Sequence, residues 1–237
     1  AKNVKPKTRI LALTWVHSCN GVKIPVRAIA DVVANANKGR ASEDRLLFCL
    51  DGVHGLGIEN ATLPSLGCDF FAAGTHKWIF APRGTGILWG KTEAWEHVVP
   101  MIPSFGMDNR PAARFSPGGF HSFEHRWAAD EGFKFHLAVG KARVESRIHE
   151  LNRAIRQGLS KMPHVDLHTP MSDELSAGIM CFDVKGKTPR EVIAHLSERG
   201  ILGSVSPYSP SCGRLAASVW NTEEEVERAV KAVGEMG

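Results

Sequence analysis

The sequence has little of several features that define whole classes of proteins. Its 237 residues include one tyrosine and no cluster of lysine and arginine. It has no apolar run of the roughly 18 to 20 residues that a membrane-spanning helix needs. Its five cysteines are odd in number and not closely paired, which does not fit a disulfide framework or a zinc ribbon. We therefore expect neither a membrane protein nor a nucleic-acid-binding protein.

The composition is that of an ordinary globular protein. Hydrophobic residues make up 43%, charged residues 23%, and the net charge is +4. A chain of this length buries a sizeable core, and it fits one large domain or one and a half.

The first half of the chain alternates apolar runs with helical or loop stretches. The strand-like runs are 8–16, 45–50, 66–73 and 86–89, and a helical stretch, 26–37, follows Pro25. This alternation predicts an α/β layer with a parallel sheet. Such sheets place ligand-binding groups beyond the carboxyl ends of their strands.

The second half predicts a smaller α+β domain. A long helical pattern, 127–162, contains Gly132 and Gly140 as possible bends. After it come candidate strands at 164–168, 178–184, 201–206 and 214–219, with helices at 189–199 and 223–235 between and after them. Thr222 and Glu225 fit a capping box. We predict a large domain in residues 1–140 and a small domain in residues 141–237.

Polar residues with matched chemistry follow two of the predicted strands. Asp51 ends one apolar run and His54 comes three residues later, while His76 and Lys77 follow the next run. A lysine amine suits Schiff-base formation, and a carboxylate beside a pyridinium nitrogen keeps a pyridoxal ring an electron sink. A turn aspartate and a surface lysine are the commoner interpretations of either residue alone. Together they favour a pyridoxal-phosphate site.

The stretch from Asp51 to Gly90 resembles the class V aminotransferases. Its Asp-x-x-His, His-Lys and Pro-Arg-Gly-Thr-Gly motifs occur in the order and spacing of that family. Residues 15–21 and 213–226 resemble two further family segments, so the resemblance extends over nearly the whole chain. Thr75-His-Lys-Trp and Ser18 are most similar to the isopenicillin N epimerase-like branch.

The resemblance implies an α/β protein of the aspartate-aminotransferase-type fold (fold type I). This chain would form a partial large domain and the small α+β C-terminal domain. The implied cofactor is pyridoxal 5'-phosphate, and the implied substrate is an amino acid or amine. The chemistry at its α-carbon would be amino transfer, epimerisation or elimination, in a homodimer.

The resemblance also implies a role for each matching residue. Lys77 would form the Schiff base and move the α-proton, Asp51 would pair with the pyridinium nitrogen, and Arg214 would bind the substrate carboxylate. An ordinary surface arginine is the other interpretation of Arg214. The other expected cofactor contacts are His54 near the phenolic oxygen, His76 at the ring or phosphate, and Ser18, Thr75 and His17.

The chain departs from the family pattern in three places. The family's phosphate-binding loop and ring-stacking residue would precede Ala1, so we expect a fragment, one chain of a two-chain enzyme, or a truncated relative. Gly119 stands where the family often has a threonine that contacts the phosphate of the neighbouring subunit. The connection before Cys212 is too short for the persulfide loop of a cysteine desulfurase.

Two other functions compete with this interpretation. His121, Glu124 and His125 fit the H-x-x-E-H pattern of a zinc-dependent hydrolase, although no third-ligand motif follows and a polar segment near a dimer interface is the commoner interpretation. A catalytically degenerate partner subunit is the other alternative, and the retained Lys77, Asp51 and Arg214 argue against it. We expect no metal and a cytoplasmic enzyme, or a periplasmic one if a leader precedes the chain.

Overall fold

A computed structural model describes residues 2–102, 114–115 and 121–237. The chain divides into two compact units. The N-terminal unit groups the described residues of Ala1–Leu13, Val26–Asp51 and Thr62–Lys134, and the C-terminal unit groups Thr14–Pro25, Gly52–Ala61 and Phe135–Gly237. The domain boundary expected at residue 140 stays a prediction. No helix of the described residues is both long enough and apolar enough to span a bilayer.

The N-terminal unit is organised by a four-stranded sheet. Its strands are β1 (Ile10–Thr14), β2 (Leu47–Asp51), β3 (Phe70–Gly74) and β4 (Gly86–Gly90), in the order β1-β2-β3-β4. Strands β2 and β3 are parallel, whereas β3 and β4 are antiparallel. The expectation of a wholly parallel sheet is therefore wrong for β4. Residues 75–85 join β3 to β4 without a helix, and a parallel neighbour requires a crossover of about a dozen residues or more.

Short helices and buried strand residues complete this unit. The described helices are α1 (Val26–Ala36), α2 (Leu63–Leu66), α3 (Phe123–Val139) and two 3₁₀ turns, Ser42–Asp44 and Thr92–His97. Phe48 and Leu50 alternate along β2 and lie fully or almost fully buried together with Phe71 of β3. This period of two is the one expected of a strand with a packed face.

The two glycines of the long helical pattern have different roles. Gly140 has a φ of +94° and separates α3 from α4 (Lys141–Leu159), so the predicted bend is a break. Gly132 does not end a helix, because it lies inside α3. A Cβ at Gly132 would lie 2.5 Å from the carbonyl oxygen of Ile79. Glycine is needed there for the close approach of α3 to the segment around Ile79.

The C-terminal unit is an antiparallel sheet packed with helices. Its strands β5 (Val165–Leu167), β6 (Met180–Val184), β7 (Ser204–Val205) and β8 (Gly213–Leu215) lie in the order β5-β6-β8-β7, and its helices are α4, α5 (Pro189–Glu198) and α6 (Glu223–Gly234). The predicted strands and helices are confirmed with narrower bounds. The predicted capping box of Thr222 and Glu225 is also present. Leu151, Phe182 and Val233 are central members of the apolar core.

Buried polar groups tie the loops of this unit together. The Asn152 side chain donates to the Ala217 carbonyl at 2.8 Å and accepts from the Ala217 amide at 3.1 Å. Glu59 accepts from Lys23 Nζ at 2.7 Å and contacts His149 Nε2 at 2.8 Å. Buried polar atoms are stable only when paired in this way.

Candidate functional site

The candidate carboxylate of the N-terminal unit lies at the end of one strand, and the candidate lysine lies just after the end of the adjacent parallel strand. Asp51 is the last residue of β2 and lies in register with Ala72 of β3. Both residues are exposed. Two residues after Ala72 the strand ends at Gly74, and the chain continues through the buried Thr75 to the exposed His76 and Lys77. The structure thus brings all four sequence-predicted residues of this unit to one edge of the sheet.

Thr75 anchors the loop that presents the lysine. Its side chain is buried, and its Oγ1 lies 2.5 Å from Thr85 Oγ1. The Thr85 hydroxyl donates to the Pro82 carbonyl at 2.7 Å, so Thr75 is the donor to Thr85. The Thr75 amide donates to the Thr85 carbonyl, and the Thr75 carbonyl accepts from the Ala81 amide, both at 3.1 Å. These bonds fix the backbone immediately before His76.

A tight turn fixes the backbone after the lysine. The Phe80 amide donates to the Lys77 carbonyl at 3.3 Å, and Phe80 has a φ of +61°, which is uncommon for a bulky residue. Trp78 and Ile79 between them are buried. The polar loop therefore has buried side chains on both sides of His76 and Lys77, which themselves face outward.

Sequence analysis missed the buried carboxylate of this unit. Asp69 is 2% exposed and accepts from the Phe48 amide at 2.9 Å. Its other oxygen pairs with Arg45 at 3.2 Å and Lys91 at 3.1 Å. Asp69 directly precedes β3, so these bonds stabilise the start of that strand rather than contribute to the chemistry at its other end.

In the C-terminal unit, Arg214 contacts the segment that bears His17 and Ser18. The guanidinium Nη1 donates to the Ser18 carbonyl at 2.9 Å, and Nε donates to Ser204 Oγ at 3.2 Å. Arg214 lies half-buried on β8. A guanidinium has five N–H donors, so these two bonds leave the edge formed by Nη1 and Nη2 with donors for a carboxylate.

Backbone bonds hold His17 and Ser18 in a turn. The His17 amide donates to the Val22 carbonyl, and the His17 carbonyl accepts from the Gly21 amide, both at 2.8 Å. A Cβ at Gly21, whose φ is +70°, would lie 2.3 Å from the Ile179 carbonyl oxygen, so this turn requires glycine. His17 is exposed and Ser18 is half-buried.

Tyr208 is a second residue that sequence analysis missed. Ser18 Oγ donates to its hydroxyl at 3.1 Å, and its side chain is half exposed. It is the only tyrosine of the chain. That rarity was the available signal, but nothing in the sequence pattern connects position 208 with position 18.

His54 is buried in a turn that follows Asp51. The amides of Gly55 and Leu56 both donate to the Gly52 carbonyl, at 3.0 and 2.8 Å. A Cβ at Gly55 would lie 2.1 Å from the Trp15 ring, so the aromatic ring packs directly on this turn. The role expected of His54 at the phenolic oxygen stays a prediction.

The zinc-hydrolase residues do not form a ligand set. Helix α3 begins at Phe123, so His121 precedes it and does not share a helical face with His125. The Glu124 carboxylate accepts from the Ser122 hydroxyl at 2.9 Å, and that hydroxyl caps the helix by accepting from the His125 amide. The metal-binding arrangement expected from this motif is therefore absent. Gly119, the expected site of the inter-subunit phosphate contact, lies outside the described residues.

Within the described ranges, one group of side chains has the spacing of metal ligands: Glu59, Glu145 and His149. Lys23 forms an ion pair with Glu59, and the Asn60 amide donates to Glu145 at 2.8 Å. An ammonium group already neutralises part of this cluster. Its arrangement is therefore that of a buried ion-pair network.

The fold and the site together define a class of protein. It is an α/β chain with a carboxylate and a lysine at the ends of adjacent parallel strands, followed by an antiparallel α+β unit that holds an arginine. The family profile described as Aminotransferase class-V matches residues 1–229. The chain therefore belongs to the class V aminotransferase family, which is pyridoxal-phosphate-dependent.

Individual relatives agree with the family and the fold. The isopenicillin N epimerase of Streptomyces clavuligerus is 28% identical, with 96% of this chain and 60% of that protein covered. A probable cysteine desulfurase of Vibrio cholerae is 22% identical, with 97% of this chain and 59% of that protein covered. A solved structure of C-DES with glycine covalently linked to the PLP cofactor has a TM-score of 0.87 at 20% identity. The match covers 100% of this chain and 63% of that chain.

These likenesses confirm the expected family and the fold type I architecture. The chain spans about 60% of the length of the curated relatives that it matches. The relatives include both epimerases and desulfurases, so they do not decide between these reactions.

Proposed function

We propose that this chain contributes Lys77 and Asp51 to a pyridoxal-phosphate enzyme that acts at the α-carbon of an amino acid or amine. The observation that carries the proposal is their shared position at the carboxyl ends of β2 and β3. When bound, pyridoxal phosphate forms an imine with an amino group and withdraws electrons from the adjoining carbon.

The donor set of the N-terminal unit fits this cofactor. An amine, a carboxylate and an imidazole, those of Lys77, Asp51 and His76, are all exposed at one edge of the sheet. Ala72, which lies in register with Asp51, is also exposed. Because its side chain is a single methyl group, it leaves space for a flat ring beside the carboxylate.

The proposed roles follow from the chemistry of these groups. Lys77 takes and returns the α-proton of the substrate, because the unprotonated amine of a lysine is a general base. Asp51 holds a proton at the ring nitrogen. His76 and Thr75, together with His54, His17 and Ser18 in the C-terminal unit, are proposed to contact the cofactor.

Arg214 is proposed to bind the substrate carboxylate. The edge of the guanidinium that still has donors presents parallel N–H groups, and a carboxylate accepts these in a bidentate pair. The bonds of Nε and Nη1 to Ser204 and Ser18 fix the plane of the guanidinium. The proposed substrate is therefore an amino acid, rather than an amine without a carboxylate.

Epimerisation or amino transfer is favoured over sulfur transfer. A desulfurase requires a thiol that reaches the substrate sulfur, and Cys212 is only 3% exposed and directs its thiol to the Cys19 carbonyl at 3.3 Å. The homodimeric state and the cytoplasmic location expected from the sequence belong to the same proposal.

The test is the visible absorption of the purified chain with pyridoxal phosphate, before and after borohydride. We expect an imine band that borohydride bleaches and a mass adduct on the peptide that contains Lys77. Lys38→Ala is the matched control, because Lys38 is an exposed lysine of the same unit. It should keep the band that Lys77→Ala loses. An adduct on another lysine, or no bleachable band, contradicts the proposal.

A further inference from the structure

Two cysteines of the C-terminal unit lie diagonally across the pairing of β6 with β8. Cys181 of β6 pairs in register with Arg214 of β8, and Cys212 directly precedes β8. Side chains two residues apart on a strand share a face, so Cys181, Cys212 and Arg214 lie on the same side of the sheet. Each thiol strongly influences the pKa of the other, and neither is in a disulfide.

The pair lies beneath the segment that bears Ser18. Cys181 is fully buried and Cys212 is 3% exposed. The Cys212 thiol donates to the Cys19 carbonyl at 3.3 Å, and the Cys181 thiol contacts the Ser18 carbonyl at 3.9 Å. Arg214 donates to the same Ser18 carbonyl. A chemical change at the two sulfurs therefore acts directly on the backbone that the arginine contacts.

The two thiols differ in acidity. The interaction with Cys181 has the largest influence on Cys212, and together with the nearby His168 it lowers the pKa of that thiol to about 7 against the opposing effects of burial and Asp183. The same interaction raises the pKa of Cys181, as does burial. A thiolate is the reactive form of cysteine. Cys212 is therefore the nucleophile of the pair, and Cys181 is the thiol that keeps its proton.

We propose that Cys181 and Cys212 form a reversible disulfide and constitute a redox-modification site. The oxidant is a hydroperoxide. The Cys212 thiolate attacks the terminal peroxide oxygen, the O–O bond breaks, and an alcohol or water leaves. The Cys181 sulfur then attacks the resulting sulfenic acid, an S–S bond forms, and the hydroxide leaves as water with the Cys181 proton. Two thiols lose two electrons, and the peroxide gains them.

The position of Cys212 gives the oxidant a route to the thiolate. Residues 207–211, which precede it, are all exposed. Local opening of an exposed loop requires much less free energy than global unfolding. A small peroxide can thus reach Cys212 while Cys181 remains in the core.

The chain contains its own comparison pair, Cys49 and Cys68. Burial raises the pKa of Cys49, and burial also raises the pKa of Cys68 to about 11. The adjacent Asp69 acts in the same direction on both. These thiols remain protonated near neutral pH, so we expect them to stay reduced under conditions that oxidise Cys181 and Cys212.

The test is disulfide mapping of the purified chain after hydrogen peroxide. Remaining thiols are alkylated in denaturant, the protein is cut with trypsin, and the peptides are sequenced by mass spectrometry. Lys185 and Arg199 lie between the two cysteines, so an intramolecular disulfide joins two separate peptides. We expect the Cys181–Cys212 pair to accumulate, to disappear with dithiothreitol, and to leave Cys49 and Cys68 alkylated.

Matched variants distinguish the two thiols. Cys181→Ala should leave a sulfenic acid at Cys212 that dimedone traps, whereas Cys212→Ser should give neither a cross-link nor a dimedone adduct. If either variant fails to fold, the disulfide map of the unsubstituted chain tests the proposal on its own. A disulfide that includes Cys19, a disulfide between chains, or full alkylation of all five cysteines after peroxide overturns the proposal.

Hydrogen–deuterium exchange provides a readout that does not depend on the cofactor. Oxidation removes the thiol hydrogens that face the Ser18 and Cys19 carbonyls. We expect faster exchange at the amides of His17 and Gly21, which hold this turn closed, and no change in β2 and β3. Exchange that is unchanged at both amides in a chain with the mapped disulfide would show that the disulfide does not act on this segment.

Discussion

The two units hold their candidate residues in different ways. In the N-terminal unit, Lys77 is exposed, and its position is set by buried neighbours such as Thr75. In the C-terminal unit, Arg214 bonds directly to Ser18 and Ser204. In the first unit, the residues that fix the loop are therefore separate from the candidate lysine, whereas in the second unit the candidate arginine makes the fixing bonds itself. Substitutions should reveal this separation.

The largest expected effect is the loss of proton transfer in Lys77→Ala. Removal of a general base lowers the rate roughly 10²- to 10⁴-fold. The measurement is exchange of the substrate α-proton with deuterated water, followed by NMR across a panel of amino acids. The free energy of unfolding should change by less than about 1 kcal/mol, because exposed charges contribute little to stability.

Lys38→Ala is the control for this measurement as well. It should retain both the exchange rate and the stability. A Lys77→Ala chain that still exchanges the α-proton at the original rate would remove Lys77 from the chemistry. A chain that instead loses several kcal/mol of stability would contradict the separation of reactivity and stability in this unit.

In the C-terminal unit, the largest expected effect is a loss of stability in Glu59→Gln. Glu59 has a side chain that is 9% exposed and bonds to Lys23 and His149. Glu59→Gln removes the charge that compensates Lys23, and loss of one partner of a buried ion pair destabilises by about 3 kcal/mol. Urea unfolding measures this. Glu150→Gln, in an exposed pair with Arg147, is the control and should cost less than about 1 kcal/mol.

The pKa of Glu59 predicts how the stability difference between the original chain and Glu59→Gln depends on pH. Burial raises the pKa of Glu59, but the hydrogen bonds from His149 and Lys23 outweigh it and lower the pKa overall. A lowered folded-state pKa contributes stability above the unfolded-state pKa, which is about 4.3, and that contribution is lost as the pH falls through the folded-state value. The gap between the original chain and Glu59→Gln should therefore narrow on acidification below about pH 4. A gap that widens would show that the network does not stabilise the ionised form.

Much of the fold was predictable because it depends on local pattern. The strands of the first sheet follow their apolar runs, and Thr222 with Glu225 specifies the start of α6 as a capping box. The direction of β4 was not predictable, because an apolar run has the same pattern in either orientation. The start of α3 was also missed, since the capping role of Ser122 places His121 outside the helix.

The candidate site divides in the same way. The positions of Asp51 and Lys77 at one edge of the sheet were predictable, because Asp51 ends β2, Lys77 comes three residues after β3, and the family motif fixes their spacing. The contacts of Ser18 with Tyr208 and of Cys212 with the Cys19 carbonyl were not, because they join positions far apart in sequence. Composition and periodicity do not determine such long-range contacts.

Arg214→Lys should lower both the stability of the chain and its affinity for an amino acid. Lysine keeps the charge but loses the fork that bonds Ser18 and Ser204, and loss of two such bonds destabilises by about 1–2 kcal/mol. The apparent affinity for an amino acid should fall as well, because a point charge does not replace a bidentate donor. Thermal unfolding and the substrate dependence of α-proton exchange measure the two effects. A loss of affinity without a loss of stability would contradict the dual role.

The smallest expected effect comes from Thr75→Val, which preserves the shape of a buried side chain. The variant removes the hydroxyl that donates to Thr85 Oγ1, while the Thr85 bond to Pro82 remains. Loss of one buried hydrogen bond destabilises by about 1 kcal/mol. Because this bond fixes the loop before Lys77, the borohydride-reducible band should form more slowly even though the lysine is intact. Thr75→Ser restores the hydroxyl and should recover both properties. If Thr75→Val loses stability but forms the band at the original rate, the anchor holds the sheet and does not position the lysine.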